Sequence, residues 1–336
     1  MRGKFAVQMR HHRSKISSLA VFLSLVVSFP AGAQSIKLSY SSDSPGALPV
    51  WAAKESGIYA KNGLDVQLLR VTGNVAMMAV VSGELGIGFV GGTAAITSNL
   101  AGSDAIMIAA GEVSTDYSLV VNPKIKSPEQ LKGSIIGVAS QVGSAMISTL
   151  YALQKFGLGR NDATILVVGG TPERLAALRT GRIQATLLSP PTSFAAEREG
   201  FTIMTDVIGM PLPYNSVVST RKFVRQNADL TRRFIKAHLE AVRLLKTDRE
   251  AGIKVLAKYL RQTKDRTLLE KSYDISTGDN ILPRKQYPTL AGIKTVLDSL
   301  VKTYPKAATA RPEEFTDTSF IKELDDSGFI DALYKK

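Results

Sequence analysis

Six short segments of this chain combine the residue types that hold a small polar molecule. They are Ser41 to Gly46 (with Ser42, Asp43 and Gly46), Thr72-Gly73-Asn74, Gly91-Gly92-Thr93, Ser140 to Ser144 (with Gln141, Gly143 and Ser144), Gly169-Gly170-Thr171 and Ser189-Pro190. Glycine lets a backbone approach a ligand, and hydroxyls and amides supply donors and acceptors. Each segment leads into a helical run, where the first N–H groups lack internal partners and carry the positive end of the helix dipole. Several such ends aimed into one cleft favour an anion without any lysine or arginine. The same Ser and Thr residues are also what helices use to cap themselves, so the reading rests on six segments together. Tyr214 offers a ring that can stack on a ligand or pack in a hinge. Glu112 and Asp43 read either as solvated loop acids or as cleft walls. In the second case an amine or a nitrogen heterocycle suits the site better than a simple anion. Trp51, the only tryptophan, reads as core, and Arg70 as a residue of the cleft rim.

The chemistry that is absent narrows the function further. No cysteine occurs, which excludes thiolate catalysis, disulfides, Fe–S ligation and a lipid-anchor cysteine. Beyond His11 and His12, the only histidine is His238, so a His-dependent triad or a multi-histidine metal site is excluded from the chain after its first residues. The spacing G-x-G-x-x-G over Gly86 to Gly91 falls within a strand and does not open a helix, so it is not read as a dinucleotide motif. No cofactor is expected, and the chain reads as a binder, not an enzyme.

Residues 1–33 have the form of a secretory leader: five Lys/Arg without an acid, an apolar run from Ile16 to Phe29, and Ala31-Gly32-Ala33 as a cleavage site. Cleavage after Ala33 would release a free exported protein, hence a periplasmic one. The formal charge is +13; without the leader, 37 basic residues face 29 acidic ones. These are dispersed along helices, with no basic block of the kind that binds nucleic acid.

An α/β pattern must position the six loops. Residues 37–93 overlay on 135–191 at an offset of 98 without a gap, pairing Ser42 with Ser140, Leu68 with Leu166 and Gly83 with Gly181. Two lobes of like topology follow, each expected to be a doubly wound parallel sheet with right-handed crossovers. Tyr117 to Pro123 reads as a crossover strand leaving the first lobe, and Met210 to Ser219 as the return. The first lobe would take 34–121, the second 122–213, and 214–336 would return to the first and end in helices. Asn227 is expected to cap a helix with apolar positions Leu230, Phe234, Leu239, Val242 and Leu245. Further helical runs over 290–303 and 318–333 read as scaffold.

The stretch Gly57-Ile58-Tyr59-Ala60-Lys61-Asn62-Gly63-Leu64-Asp65-Val66 carries a helix end, a turn glycine and an incoming strand. It resembles the mature N-terminus of the nitrate/sulfonate/taurine-type substrate-binding proteins of ABC importers, the SsuA/THI5-like (NMT1) family. The resemblance implies a periplasmic-binding-protein-like (type II) fold, two lobes on a two-segment hinge with the ligand between them. It also implies a sulfonate, nitrate or carboxylate ligand and delivery to a membrane permease and its ATPase; a one-site monomer is the default expectation. Binding of a thiamine-precursor pyrimidine or other amine, or service as a periplasmic sensor partner, stays open beside it. The pyrimidine synthases of the same superfamily use a cysteine-rich motif that this chain lacks. One departure is Gly86, which stands after Gly83-Glu84-Leu85 where many relatives have an acid.

Overall fold

The structure is a computed structural model that describes residues 34–71, 73–260 and 265–335. The expected leader therefore lies outside the described residues, as does Thr72. Ten strands form two five-stranded sheets. The first sheet contains β1 (Gln34–Tyr40), β2 (Leu64–Arg70), β3 (Ile87–Val90), β4 (Ala105–Ala110) and, far along the chain, β10 (Ser216–Thr220). The second contains β5 (Ser118–Val121), β6 (Ile135–Val138), β7 (Thr164–Val167), β8 (Ala185–Leu188) and β9 (Thr202–Asp206).

The strand orders β2-β1-β3-β10-β4 and β7-β6-β8-β5-β9 are the same arrangement used twice. Each begins as parallel βαβ units, and β3 falls on β8 at the offset expected from sequence. The sheets are mixed, however, and not wholly parallel. In each, one antiparallel strand fills the slot beside the third: β10 between β3 and β4, and β5 between β8 and β9. Ser118–Val121, expected at the end of the first lobe, is therefore a strand of the second sheet. All four of its residues are buried, and that slot supplies ladder partners for backbone groups that burial cuts off from water. Strands β3, β4, β5, β8 and β10 are buried on both faces, which explains their unbroken apolar runs.

Helices cover both faces of each sheet, giving two apolar clusters per lobe. In the first lobe one face centres on Leu38, Trp51, Phe89 and Phe234, and the other on Met77, Ile96, Met107 and Ile293. Helix Ala228–Thr247 buries all five of its expected apolar positions. Asn227 stands before it but does not cap it; its amide donates to the Phe223 carbonyl at 3.0 Å. Gly63 takes φ +68°, the left-handed turn that the sequence demanded there. The run over 318–333 is split at Gly328 into Ser319–Asp326 and Phe329–Tyr334. Among the described residues no helix is long and apolar enough to cross a membrane.

His238 is structural. Its Nε2–H points at two acceptors, the Ala110 carbonyl at 2.8 Å and Gln286 Oε1 at 2.9 Å, tying the long helix to the end of β4. Burial holds its pKa below the usual imidazole value, against the pull of those two acceptors. His238→Ala would leave both acceptors unmet and open a void. It is expected to destabilise the protein by about 3 kcal/mol, measured by denaturant unfolding.

Candidate functional site

Because β1, β3 and β4 run the same way, their carboxyl ends share one edge of the first sheet. The loops leaving that edge face the corresponding loops of the second sheet. Two antiparallel crossings join the lobes. Leu212 N–H donates to the Val113 carbonyl at 3.0 Å, Tyr214 N–H to that of Glu112 at 3.0 Å, and Val207 N–H to that of Tyr117 at 2.9 Å. Such a ribbon can bend about its two strands while keeping the lobes aligned.

A cavity of about 590 Å³ opens between the lobes, within the size range of small-molecule sites. The first lobe contributes Tyr40, Asp43, Ser44, Glu55 and Arg70, and the second Thr171, Pro172, Ser189 and the Pro190 to Thr192 run. Lys258, Tyr259 and Leu260 close it from the C-terminal helices, which the sequence had suggested were scaffold alone. The charges on its wall pair among themselves. Arg70 Nε lies 3.1 Å from Asp43 Oδ2, and Lys258 Nζ donates to Glu55 at 2.5 Å. Hydrogen bonding from Lys258 holds the Glu55 carboxyl below its usual pKa. These pairs are largely exposed and worth little stability. Ser44, Thr171, Ser189 and Thr192 bring hydroxyls to the lining; that of Ser44 bonds Ser42 and that of Thr171 accepts from Arg174.

Arg174, one turn into helix Thr171–Arg179, is 1% exposed. It donates to the carbonyls of Gly169 at 2.8 Å and Leu187 at 3.0 Å and to Thr171 Oγ1 at 3.3 Å, while its Nε has no partner. Among the described residues no carboxylate pairs with it. A buried cation without a counter-ion therefore underlies the Thr171 side of the cavity. Trp51 is buried in the core, stacked on Tyr259 with centroids 4.5 Å apart and edge-on to Tyr40 at 5.7 Å. The single tryptophan thus touches two rings that line the cavity.

Of the residues singled out from sequence, Asp43, Thr171 and Ser189 line the cavity. Gly46, Gly92, Thr93 and Tyr214 gather instead along the hinge. Gly46 lies so close to Glu112 and Asn215 that a Cβ there would collide with Glu112 Oε2. Gly92 N–H donates to the Pro213 carbonyl at 2.8 Å, and Thr93 Oγ1 is buried without a partner. Tyr214 packs edge-on against Tyr117 at 5.3 Å. Ser144 begins a helix beside Gly91, and Gly143 precedes it at φ +145°. Gly73 opens helix Gly73–Ser82 near Ser41. Ser42, Asn74 and Gln141 are exposed, Ser42 bonding Ser44 at 2.9 Å. Lys258, Tyr259 and Glu55 were missed, because nothing local in a helix end tells that its long side chains reach a cleft formed some 200 residues away.

Glu112 is not a solvated loop acid. It and Asp116 are each 1% exposed. Burial raises both carboxyl pKa values; the charge of Asp116 adds to the rise at Glu112, and Asn215 partly offsets it. Tyr214 and Tyr117 are likewise pushed up by burial.

Comparison with known proteins places this geometry in a family. The NMT1-like family model matches residues 31–261. An ABC transporter periplasmic binding protein of Brachyspira hyodysenteriae is 26% identical over 167 residues, 45% of this chain and 48% of that one. The riboflavin-binding protein RibY of Chloroflexus aurantiacus is 21% identical over 202 residues, 58% of this chain and 57% of that one. The chain thus spans about half the length of the curated relatives it matches. Among solved structures, the alkanesulfonate-binding protein SsuA of Xanthomonas axonopodis pv. citri, bound to MOPS, superposes with a TM-score of 0.69 at 18% identity. That match covers 86% of this chain and all of the other, which places the two lobes in the periplasmic-binding-protein fold. The chain belongs to the NMT1-like family.

Proposed function

We propose that the protein captures a small polar solute between its two lobes and serves an ABC importer, handing the solute to a membrane permease and its ATPase. The observation that carries this reading is the cavity of about 590 Å³ lined from both lobes and joined to a two-stranded hinge. Closure replaces the solute's water by hydroxyls from Ser44 on one side and Thr171 and Ser189 on the other. The uncompensated charge of Arg174 favours an acceptor or anionic group at the second-lobe end, in keeping with a sulfonate, nitrate or carboxylate. Work in the periplasm is part of the reading, in keeping with the periplasmic binding protein of Brachyspira hyodysenteriae, and a monomer that binds without catalysis completes it.

A thermal-shift screen of residues 34–336 tests the function, with alkanesulfonates, taurine, nitrate, bicarbonate, aromatic carboxylates, pyrimidines and amines. A ligand at about 1,000 times its dissociation constant adds about 4 kcal/mol, several degrees of melting temperature. Trp51 should report the same event, since it stacks on Tyr259 of the cavity wall. A saturable change in its emission is expected with any solute that raises the melting temperature. A solute that stabilises the protein without altering that emission would place binding elsewhere.

A further inference from the structure

Two buried carboxyls at the hinge have no cation. Glu112 and Asp116 sit on the first crossing, and among the described residues neither is paired with a lysine, arginine or histidine. Asn215 Nδ2 donates to Glu112 Oε2 at 2.7 Å, while Glu112 Oε1 and Asp116 Oδ1 have no partner. The groups facing them are Asn215 and Tyr214 on the return crossing, Tyr117 beside Asp116, and the Gly46 backbone; Tyr214 and the Asp116 backbone N–H hydrogen-bond the Asp116 carboxyl, leaving its Oδ1 unmet. Arg174 acts on Tyr117 and on neither acid. On the same edge of the first sheet, Thr93 Oγ1 is buried and unpartnered in a residue 3% exposed, and Ser41 Oγ is also unpartnered.

Buried acceptors without donors are unfavourable unless something supplies the donors. The loop that carries Asp43 and Ser44 along the cavity wall continues directly into Gly46, which rests on the Glu112 carboxylate. The cavity and the acid pair are thus served by one loop.

We infer that Glu112 and Asp116 form the subsite for a nitrogen group of the solute that donates hydrogen bonds: a protonated amine, an amidine or a ring N–H. This rests on the solute-binding reading and narrows it. The solute then carries a donor nitrogen at the first-lobe end, whatever acceptor it turns toward Thr171. An ammonium beside the pair favours its ionised form and would meet the two unpartnered carboxylate oxygens, with the hydroxyls of Thr93 and Ser41 on the same edge, whereas an anion brings no donor to them.

Matched probes test it: taurine against ethanesulfonate, 3-aminopropanoate against propanoate, and 4-aminopyrimidine against pyrimidine, titrated against Trp51 emission and by calorimetry. The amino member of a binding pair is expected to bind at least tenfold more tightly. Glu112→Gln should remove that preference while leaving the nitrogen-poor partner within about threefold and the melting temperature no lower; Asp116→Asn is the second variant. Equal or tighter binding of the partner lacking the amino group overturns the subsite while leaving solute capture intact. So does a response to Ca²⁺ or Mg²⁺ alone that Glu112→Gln abolishes. No response to any probe, small anions included, counts against solute capture itself and removes the subsite with it.

Discussion

Thr171→Trp is expected to weaken solute binding at least 100-fold while the protein stays folded. Thr171 is half-buried at the first turn of its helix, lines the cavity, and receives only a 3.3 Å hydrogen bond from Arg174. An indole there would fill space that the solute needs and would take away a hydroxyl facing it. A 100-fold loss corresponds to about 2.7 kcal/mol, which displacement from a closed cavity readily supplies. The fold should tolerate the change because the ring has the cavity to enter. Positions buried under the hinge would not be so forgiving: Thr93 is 3% exposed, and a bulky side chain there must displace packed atoms. Calorimetric titration with a solute found in the screen measures the loss, and near-wild-type affinity would remove this wall from the site.

Stability against pH should carry the mark of the Glu112–Asp116 pair. Their folded-state carboxyl pKa values lie above the unfolded ones. The folded protein therefore holds protons that the unfolded chain releases above about pH 4.3. Stability falls as pH rises from there and levels off once the pair has ionised. Glu112→Gln keeps the shape and can still accept from Asn215, but it removes Glu112's share of this loss, while that of Asp116 stays. The unliganded variant should be more stable than wild type near pH 8, because it has no buried carboxyl to ionise at this position. The difference should shrink toward pH 4. His238 acts with the opposite sign. Its lowered pKa means that stability is lost below about pH 6.5, where the unfolded ring takes up a proton that the buried one refuses. That contribution is common to both proteins and cancels in the difference. Urea unfolding of both across pH 5–8 gives the curve, and a variant less stable than wild type at pH 8 would contradict the assignment.

Much of the fold was legible because it is local or periodic. Gly63 and the strand after it follow from a helix end that needs a left-handed residue. The twofold use of one strand order appeared in sequence as the gapless overlay of 37–93 on 135–191. Strand β5 was harder to place. A short apolar run that crosses between lobes reads the same whichever sheet receives it, and only the empty slot between β8 and β9 decides. Loop composition found Asp43, Thr171 and Ser189 on the cavity wall. It could not distinguish these from Gly46, Gly92 and Thr93, whose glycines and hydroxyl serve close packing at the hinge. Glu112 was ambiguous for a different reason: an acid after a strand is usually solvated, and its burial depends on Tyr214 and Asn215, a hundred residues away.

The most direct test of solute capture is a titration of refolded, ligand-stripped protein, residues 34–336, with the screening panel, followed through Trp51 emission and melting temperature together. Capture between the lobes predicts at least one solute that saturates both signals with a single dissociation constant, and loss of the melting-temperature shift in Thr171→Trp, where calorimetry replaces the emission because the variant carries a second tryptophan. A panel that moves neither signal, or a solute whose effect survives Thr171→Trp undiminished, would contradict it.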